Sequence, residues 1–204
     1  IRGGNVYTMN ETSFAQYNLR EELLLALNQK GFTTPTPVQE QVLSLDRFDQ
    51  DLIVRAKTGS GKTLAFLLPL LQEIEPSASW PRILVLSPTR ELAQQTAKEA
   101  EWISRHLDIS VATLVGGLDM SAQVRSLRAG AAIVVGTPGR TLDHINRSSL
   151  RTEGITSVIL DEGDHMLDMG FREELEGILD SLPNRSRTWL FSATMPEEVK
   201  ALSR

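Results

Sequence analysis

The sequence predicts an α/β fold with a mostly parallel central sheet and helices on both faces. Two observations carry that expectation. Six short apolar runs, at 52–54, 82–87, 110–115, 131–136, 156–160 and 187–191, read as strands of the hydrophobic kind found in covered parallel sheets. Segments with helical spacing lie between several of these runs, and an alternating order of strand and helix calls for parallel crossovers.

The composition narrows the class. The chain has 204 residues, 41% of them hydrophobic, enough to bury one large core. No run of 18 apolar residues is present, so no membrane span or membrane partner is expected, and no signal peptide is evident. The absence of cysteine excludes disulfides and thiolate metal sites and suits a reducing, cytoplasmic setting. A net charge of −5 and a pI near 5.3 speak against broad attraction to nucleic acid, so any polynucleotide site must be local. The first residue is Ile1 rather than Met, and a piece of a longer protein is expected.

In chain order, residues 1–12 are polar with Gly3-Gly4 and read as a loose arm, with the domain running over 13–204. Leu19, Leu23, Leu24 and Leu27 recur at helical spacing, and Gly31 ends that helix near Lys30. Pro35 and Pro37 stiffen the next loop before a short helix from about Val38 to Leu45. Phe32 and Gln39 on this rigid segment could stack on a purine and pair with its edge. A core phenylalanine and a capping glutamine would look the same.

The stretch Ala56-Lys57-Thr58-Gly59-Ser60-Gly61-Lys62-Thr63 has a clearer chemistry. It joins the run Leu52-Ile53-Val54, expected to be a buried strand, to a helix marked by Leu64, Leu67, Leu68 and Leu71. Gly59 and Gly61 allow backbone N–H groups to converge on an anion at a helix start. Lys62 suits the β- and γ-phosphates and the Thr63 hydroxyl suits Mg²⁺. Ala56 stands where the general pattern asks for Gly, and it is small enough for the turn. Pro69 frees a backbone carbonyl and is expected to kink the helix.

Strands 82–87 and 131–136 end in Pro88-Thr89-Arg90 and Thr137-Pro138-Gly139-Arg140; strand 110–115 runs into Gly116-Gly117. Thr137 suits an N-cap with Pro138 at the first helical position. Arg90 and Arg140 fall in first helical turns, where the dipole disfavours a cation by about 0.3–1 kcal/mol unless an anion joins it. A track of phosphates at the carboxyl edge is one explanation; salt bridges to Glu91 and Asp143 are the other. Strand 156–160 ends in Asp161-Glu162-Gly163-Asp164, where Asp161 can anchor Mg²⁺ and Glu162 can orient or deprotonate water. Ser192 and Thr194 follow the last strand, and unaided would read as caps. None of His106, His144 and His165 has metal-ligand spacing with another, so all three read as surface or supporting residues.

Together these segments resemble the N-terminal RecA-like lobe of the DEAD-box ATP-dependent RNA helicases, from about Phe14 to Thr194. Phe32 to Gln39 is similar to the Q motif, with Phe14 as its upstream aromatic, and 56–63 to motif I, in the family's form with alanine first. Pro88 to Ala93 resembles motif Ia, Gly116-Gly117 the glycine doublet and Thr137 to Arg140 motif Ib. Val158 to Asp164, extended through Phe171, resembles motif II, and Ser192-Ala193-Thr194 motif III. The resemblance implies a RecA-like P-loop NTPase domain that binds ATP and Mg²⁺, with Phe32 stacking on adenine and Gln39 reading its edge. It implies that Asp164 bonds Ser192 and Thr194, coupling nucleotide to RNA. Pro88, Arg90, Gly117, Thr137 and Arg140 would grip the RNA sugar-phosphate backbone, largely independently of sequence.

Two departures bear on these expectations. Gly163 stands where the family has alanine, so a slightly looser strand end is expected. The chain stops ten residues after Thr194, before any counterpart of the family's C-terminal lobe, which supplies arginine fingers and half of the RNA site. A missing arginine finger is worth roughly 10³–10⁵ in rate. The piece is therefore expected to be a monomer that binds adenine nucleotides weakly, hydrolyses ATP poorly and does not unwind RNA. A DNA helicase or translocase and a non-catalytic interaction module are the competing readings; the segment at 32–39 and Asp161 to Asp164 speak against the first, and intact Lys62, Asp161 and Glu162 against the second.

Overall fold

The computed structural model describes residues 12–202. The expected arm at 1–12 lies outside them, apart from Thr12. After a 3₁₀ turn at Phe14–Tyr17, the elements run α1 (Glu21–Gln29), α2 (Pro37–Leu43), β1 (Leu52–Arg55), α3 (Lys62–Glu73), β2 (Ile83–Leu86) and α4 (Arg90–Ile103). They continue as β3 (Ser110–Leu114), α5 (Met120–Arg128), β4 (Ala131–Gly136), α6 (Pro138–Asn146) and β5 (Ser157–Asp161). The chain then forms α7 (Gly163–Asp168), α8 (Arg172–Asp180), β6 (Arg187–Ser192) and α9 (Glu197–Ala201).

The six strands pair in parallel in the order β1-β6-β5-β2-β4-β3. Because they are parallel, all their carboxyl ends share one edge of the sheet. Alternate strand residues face opposite layers, as a pleat requires. Ile83 and Val85 pack with α1–α4, whereas Leu84 and Leu86 pack with α6–α9 and Leu127 of α5. The predicted α/β architecture with helices on both faces is therefore the observed one.

Several local expectations are corrected. β1 is an edge strand, and Ile53 is 46% exposed, so only Val54 of the expected buried run is in the core. Pro69 lies inside α3, as expected, on its buried face. Gly163 leaves no slack: a methyl added there would come within 2.5 Å of Leu190 Cδ1, so leucine already fills the space. Helices α5, α7 and α8 were not expected from the sequence; each is nine residues or fewer, too short for a strong period.

Candidate nucleotide site and adjoining edge

The loop at 56–61 leaves β1, and α3 starts at Lys62 with Gly61 as its N-cap at φ +84°. A Cβ at Gly61 would lie 2.7 Å from Gln39 Nε2 and 2.8 Å from Thr36 Oγ1, so dihedral and space both demand glycine here. Gln39 reaches this loop because α2 begins at Pro37, a start favoured by proline's fixed φ. Its Oε1 accepts from the Thr36 N–H at 2.9 Å and its Nε2 donates to the Gly61 carbonyl at 3.0 Å. Gln39 is thus a capping residue that also clamps the loop, and the reading of this position as a cap holds locally. One N–H and one Oε1 lone pair stay free.

Opposite the loop, β5 ends at Asp161, and Glu162 adopts the left-handed conformation at φ 57° before α7 begins. That backbone state costs a non-glycine residue about 1–3 kcal/mol, and here it carries the carboxylate back over the loop. Glu162 Oε1 accepts from Thr58 Oγ1 at 2.7 Å and Lys62 Nζ at 3.0 Å, and Oε2 lies 3.4 Å from His165 Nδ1. Lys62 Nζ is also 2.8 Å from Asp161 Oδ1. Lys62 and Asp161 are buried, at 6% and 3% exposure.

Charge is not balanced in this cluster: one ammonium faces two carboxylates. Burial pushes the Asp161 carboxyl above its usual range against the pull of Lys62. Burial also raises Glu162, but the bonds from Thr58 and Lys62 outweigh it and hold the group below the ordinary value. Asp161 Oδ1 is buried without a donor in hydrogen-bond geometry, despite its nearness to the ammonium. Two carboxylates sharing one ammonium, with an excess of negative charge, are a fitting place for a hard dication. Among the described residues no cluster of three or more His, Cys, Asp or Glu could hold a metal. Mg²⁺ needs no such cluster, since it is commonly held by one or two carboxylates and substrate phosphates.

A cavity of about 360 Å³ opens beside this cluster, lined by Phe14, Phe32, Gln39, Lys62 and Thr63 with Glu99 and Trp102 of α4, among others. Phe14 is 3% exposed and belongs to the core it borders. Phe32 is 44% exposed and packs edge-on against Trp102, centroids 5.7 Å apart. The contribution of α4 was missed from the sequence. Its signal is the recurrence of Leu92, Thr96, Glu99 and Trp102 on one helical face.

Motif positions on the remaining strands line the same edge. Thr194 donates through its N–H and Oγ1 to Asp164 Oδ2, at 2.9 and 2.8 Å, and Ser192 Oγ accepts from the Asp164 N–H at 3.0 Å. Arg90 is the first residue of α4, capped by the Thr89 hydroxyl. Gly117, at φ +75°, approaches it so closely that a Cβ would lie 2.8 Å from Arg90 Nη1. Arg90 meets Glu91 only at 3.5 Å, between exposed groups. Arg140 does not pair with Asp143, which binds Arg147 at 2.7 Å; it donates instead to the Leu118 carbonyl at 3.1 Å and Gln123 Oε1 at 3.3 Å.

Three further positions are fixed by the fold. Pro88 is buried, and its ring shapes the turn. Thr137 holds the N-cap position before Pro138 but makes no side-chain capping bond. His144 is fully buried against Gln123, which leaves the supporting role of the two expected for it.

Residues 36–202 match the model of the DEAD/DEAH box helicases. The chain belongs to the DEAD/DEAH box helicase family. Among curated relatives, it is 46% identical over 195 residues to the ATP-dependent RNA helicase DeaD of Escherichia coli (strain K12), covering 95% of this chain and 31% of that protein. It is 42% identical to the DEAD-box ATP-dependent RNA helicase CshA of Bacillus subtilis (strain 168), covering 94% of this chain and 39% of that protein. The chain thus spans about a third of their length. Among solved structures, a DEAD box protein from Methanococcus jannaschii superposes with a TM-score of 0.84 at 41% identity, covering 93% of this chain and 52% of that one. No helix among the described residues is long and apolar enough to cross a membrane.

Proposed function

We propose that this chain is the ATP-binding lobe of an ATP-dependent RNA helicase, and that the parent protein couples ATP hydrolysis to unwinding RNA or remodelling RNA–protein complexes. The Lys62–Asp161–Glu162 cluster, with its surplus negative charge beside a helix N-terminus and a cavity of about 360 Å³ bordered by Phe32 and Gln39, carries this reading. Lys62 and the N–H groups at 58–63, with Ala56, Thr58, Gly59, Ser60 and Gly61 shaping the loop, bind the phosphates. Phe32 stacks on the base. The amide valences left free on Gln39 suit the donor–acceptor edge of adenine, which glutamine can bind in a bidentate way.

Thr63 and Asp161 would hold Mg²⁺, which when bound neutralises phosphate charge and fixes the triphosphate in position. Lys62 bridges both carboxylates, so moving its ammonium to a phosphate oxygen releases Glu162 Oε1 to accept a proton from water. Asp164, tied to Thr194 and Ser192, links that site to the arginine edge. Arg90, Gly117, Thr137 and Arg140 contact RNA phosphates and sugars, a sequence-independent mode. The names of the curated relatives support RNA over DNA as the polynucleotide. In this reading the lobe works in the cytoplasm and is completed by a C-terminal RecA-like lobe of the same protein. Alone, it is a monomer that turns ATP over very slowly.

Calorimetric titration with ADP and Mg²⁺ tests the assignment. Saturable binding, lost in EDTA-treated protein and weaker for GDP, is the expected result; no heat at millimolar ADP would end this reading. In the parent protein, Glu162→Gln should retain ATP binding and abolish turnover, and an unchanged kcat would hand the water to another group.

A further inference from the structure

Behind Arg140 lies a set of buried polar groups for which the proposed chemistry has no use. Gln123 of α5 is 6% exposed and His144 of α6 is fully buried. Gln123 Nε2 donates to the Val115 carbonyl at 2.8 Å, at the end of β3 just before Gly116-Gly117. Its Oε1 receives Arg140 Nη1 at 3.3 Å and faces His144 Nε2 at 2.9 Å. An amide turned the other way would set its NH₂ against the guanidinium and its oxygen against a carbonyl, so this orientation is the only satisfied one. The oxygen can only accept, so His144 carries its proton on Nε2. Nδ1 then accepts from Ser149 Oγ at 2.7 Å.

This chain of bonds joins three elements: the loop after β3, helix α5 that follows it, and α6, from Arg140 in its first turn to His144 in its last. Arg140 closes the circuit by donating to the Leu118 carbonyl on the far side of the glycine doublet. All four partners that hold the arginine, directly or through Gln123, are neutral. The guanidinium is therefore aimed without an ion pair, although Asp143 lies within electrostatic reach, whereas Arg147 pairs with Asp143 directly. A fixed cation presents its charge to a phosphate without losing rotamer freedom on binding.

We propose that Gln123 and His144 are positioning residues for RNA: they hold Arg140 and the 116–118 loop in one arrangement, so that the arginine and the glycine backbone meet the sugar-phosphate chain together. The inference rests on the reading of Arg140 as an RNA contact.

The test is a fluorescence-anisotropy titration of the chain with a labelled uridine decamer, alongside ADP binding as a control on folding. Gln123→Leu should weaken RNA binding about ten-fold, as Arg140→Ala is also expected to do, and leave ADP affinity unchanged. His144→Leu should act in the same direction, and His144→Gln, whose amide can donate toward Gln123 Oε1, should recover most of the affinity. In the double variant Gln123→Leu/Arg140→Ala the losses should not add, because one acts through the other. Additive losses would mean a general structural role and overturn the proposal. So would full RNA affinity in Gln123→Leu while Arg140→Ala is impaired. If the unsubstituted chain binds no RNA, the reading of the edge falls first and this proposal falls with it.

Discussion

The two halves of the sheet's carboxyl edge handle charge in opposite ways. On the β1-β6-β5 side, Lys62, Asp161 and Glu162 are packed together and satisfy one another incompletely, with one negative charge in excess. On the β2-β4-β3 side, Arg90 and Arg140 keep their charges, the first beside an exposed acid at 3.5 Å and the second on neutral acceptors. In the proposed function, nucleotide and metal replace the internal pairs of the first half, whereas phosphates reaching the second meet Arg90, which faces Glu91 at 3.5 Å, and Arg140, which is held by neutral acceptors. The difference matches the ligands proposed for each: a metal-bound triphosphate that must displace what is already there, and a chain of phosphates that arrives at charges left open.

The sharpest way to break the comparison is Lys62→Ala. It removes the cation from between two buried carboxylates, and uncoupling a buried pair costs about 3–5 kcal/mol. Affinity for Mg²⁺–ADP should fall at least a hundred-fold, read by calorimetry, while uridine-decamer binding stays within two-fold. Equal losses of both ligands would mean that the halves are not separate. Arg140→Ala is the reciprocal experiment. RNA affinity should drop about ten-fold and the slope of log K against log salt should shrink by about 0.7, the value for one phosphate contact on a single strand. ADP affinity should not move.

Gln39→Ala sharpens the nucleotide side. Because the amide clamps Gly61 as well as being proposed to read the base, two effects should separate. ATP and GTP should both weaken as the loop loses its tie, and ATP should weaken more, narrowing the preference by several-fold. An unchanged ATP-to-GTP ratio would leave Gln39 as a cap and nothing else.

The same contrast explains which features were legible in the sequence. The phosphate loop and Asp161-Glu162 are contiguous, and their chemistry is carried by residue types at fixed spacing, so strand, loop and helix could be read directly. Arg90 and Arg140 were legible as cations in first helical turns. What holds Arg140 was not: Gln123 and Leu118 meet it across 17 and 22 residues, His144 meets Gln123 across 21, and only the fold brings these pairs together. Gln39 shows the intermediate case, where a local capping pattern and a long-range contact to Gly61 fall on one amide. The edge position of β1 was illegible because an apolar run looks alike whether one or both of its faces are covered, and strand order is decided by crossovers.

The smallest expected effect is in pH dependence, and its sign differs between the halves. Burial, with the nearby cations Arg140 and Arg147, holds the His144 pKa below 6.5 against a weaker opposing pull from Asp143. An unfolded imidazole takes up a proton near pH 6.5, and the folded one resists. In that window the unfolded chain binds more protons, so the contribution of neutral His144 to stability is complete above pH 6.5 and is lost as pH falls through the folded value. Asp161 runs the other way: its raised pKa favours the folded state at low pH and withdraws that contribution as pH rises through the folded value. Thermal unfolding from pH 7.5 to 5.5 should therefore show the unsubstituted chain losing more Tm than His144→Gln, which has no proton to gain. Asp161→Asn should lose more on acidification than the unsubstituted chain, because the compensating carboxyl is gone. Parallel profiles for all three proteins would show that neither buried group titrates differently on folding, and that the contrast in charge between the two halves is confined to the neutral range.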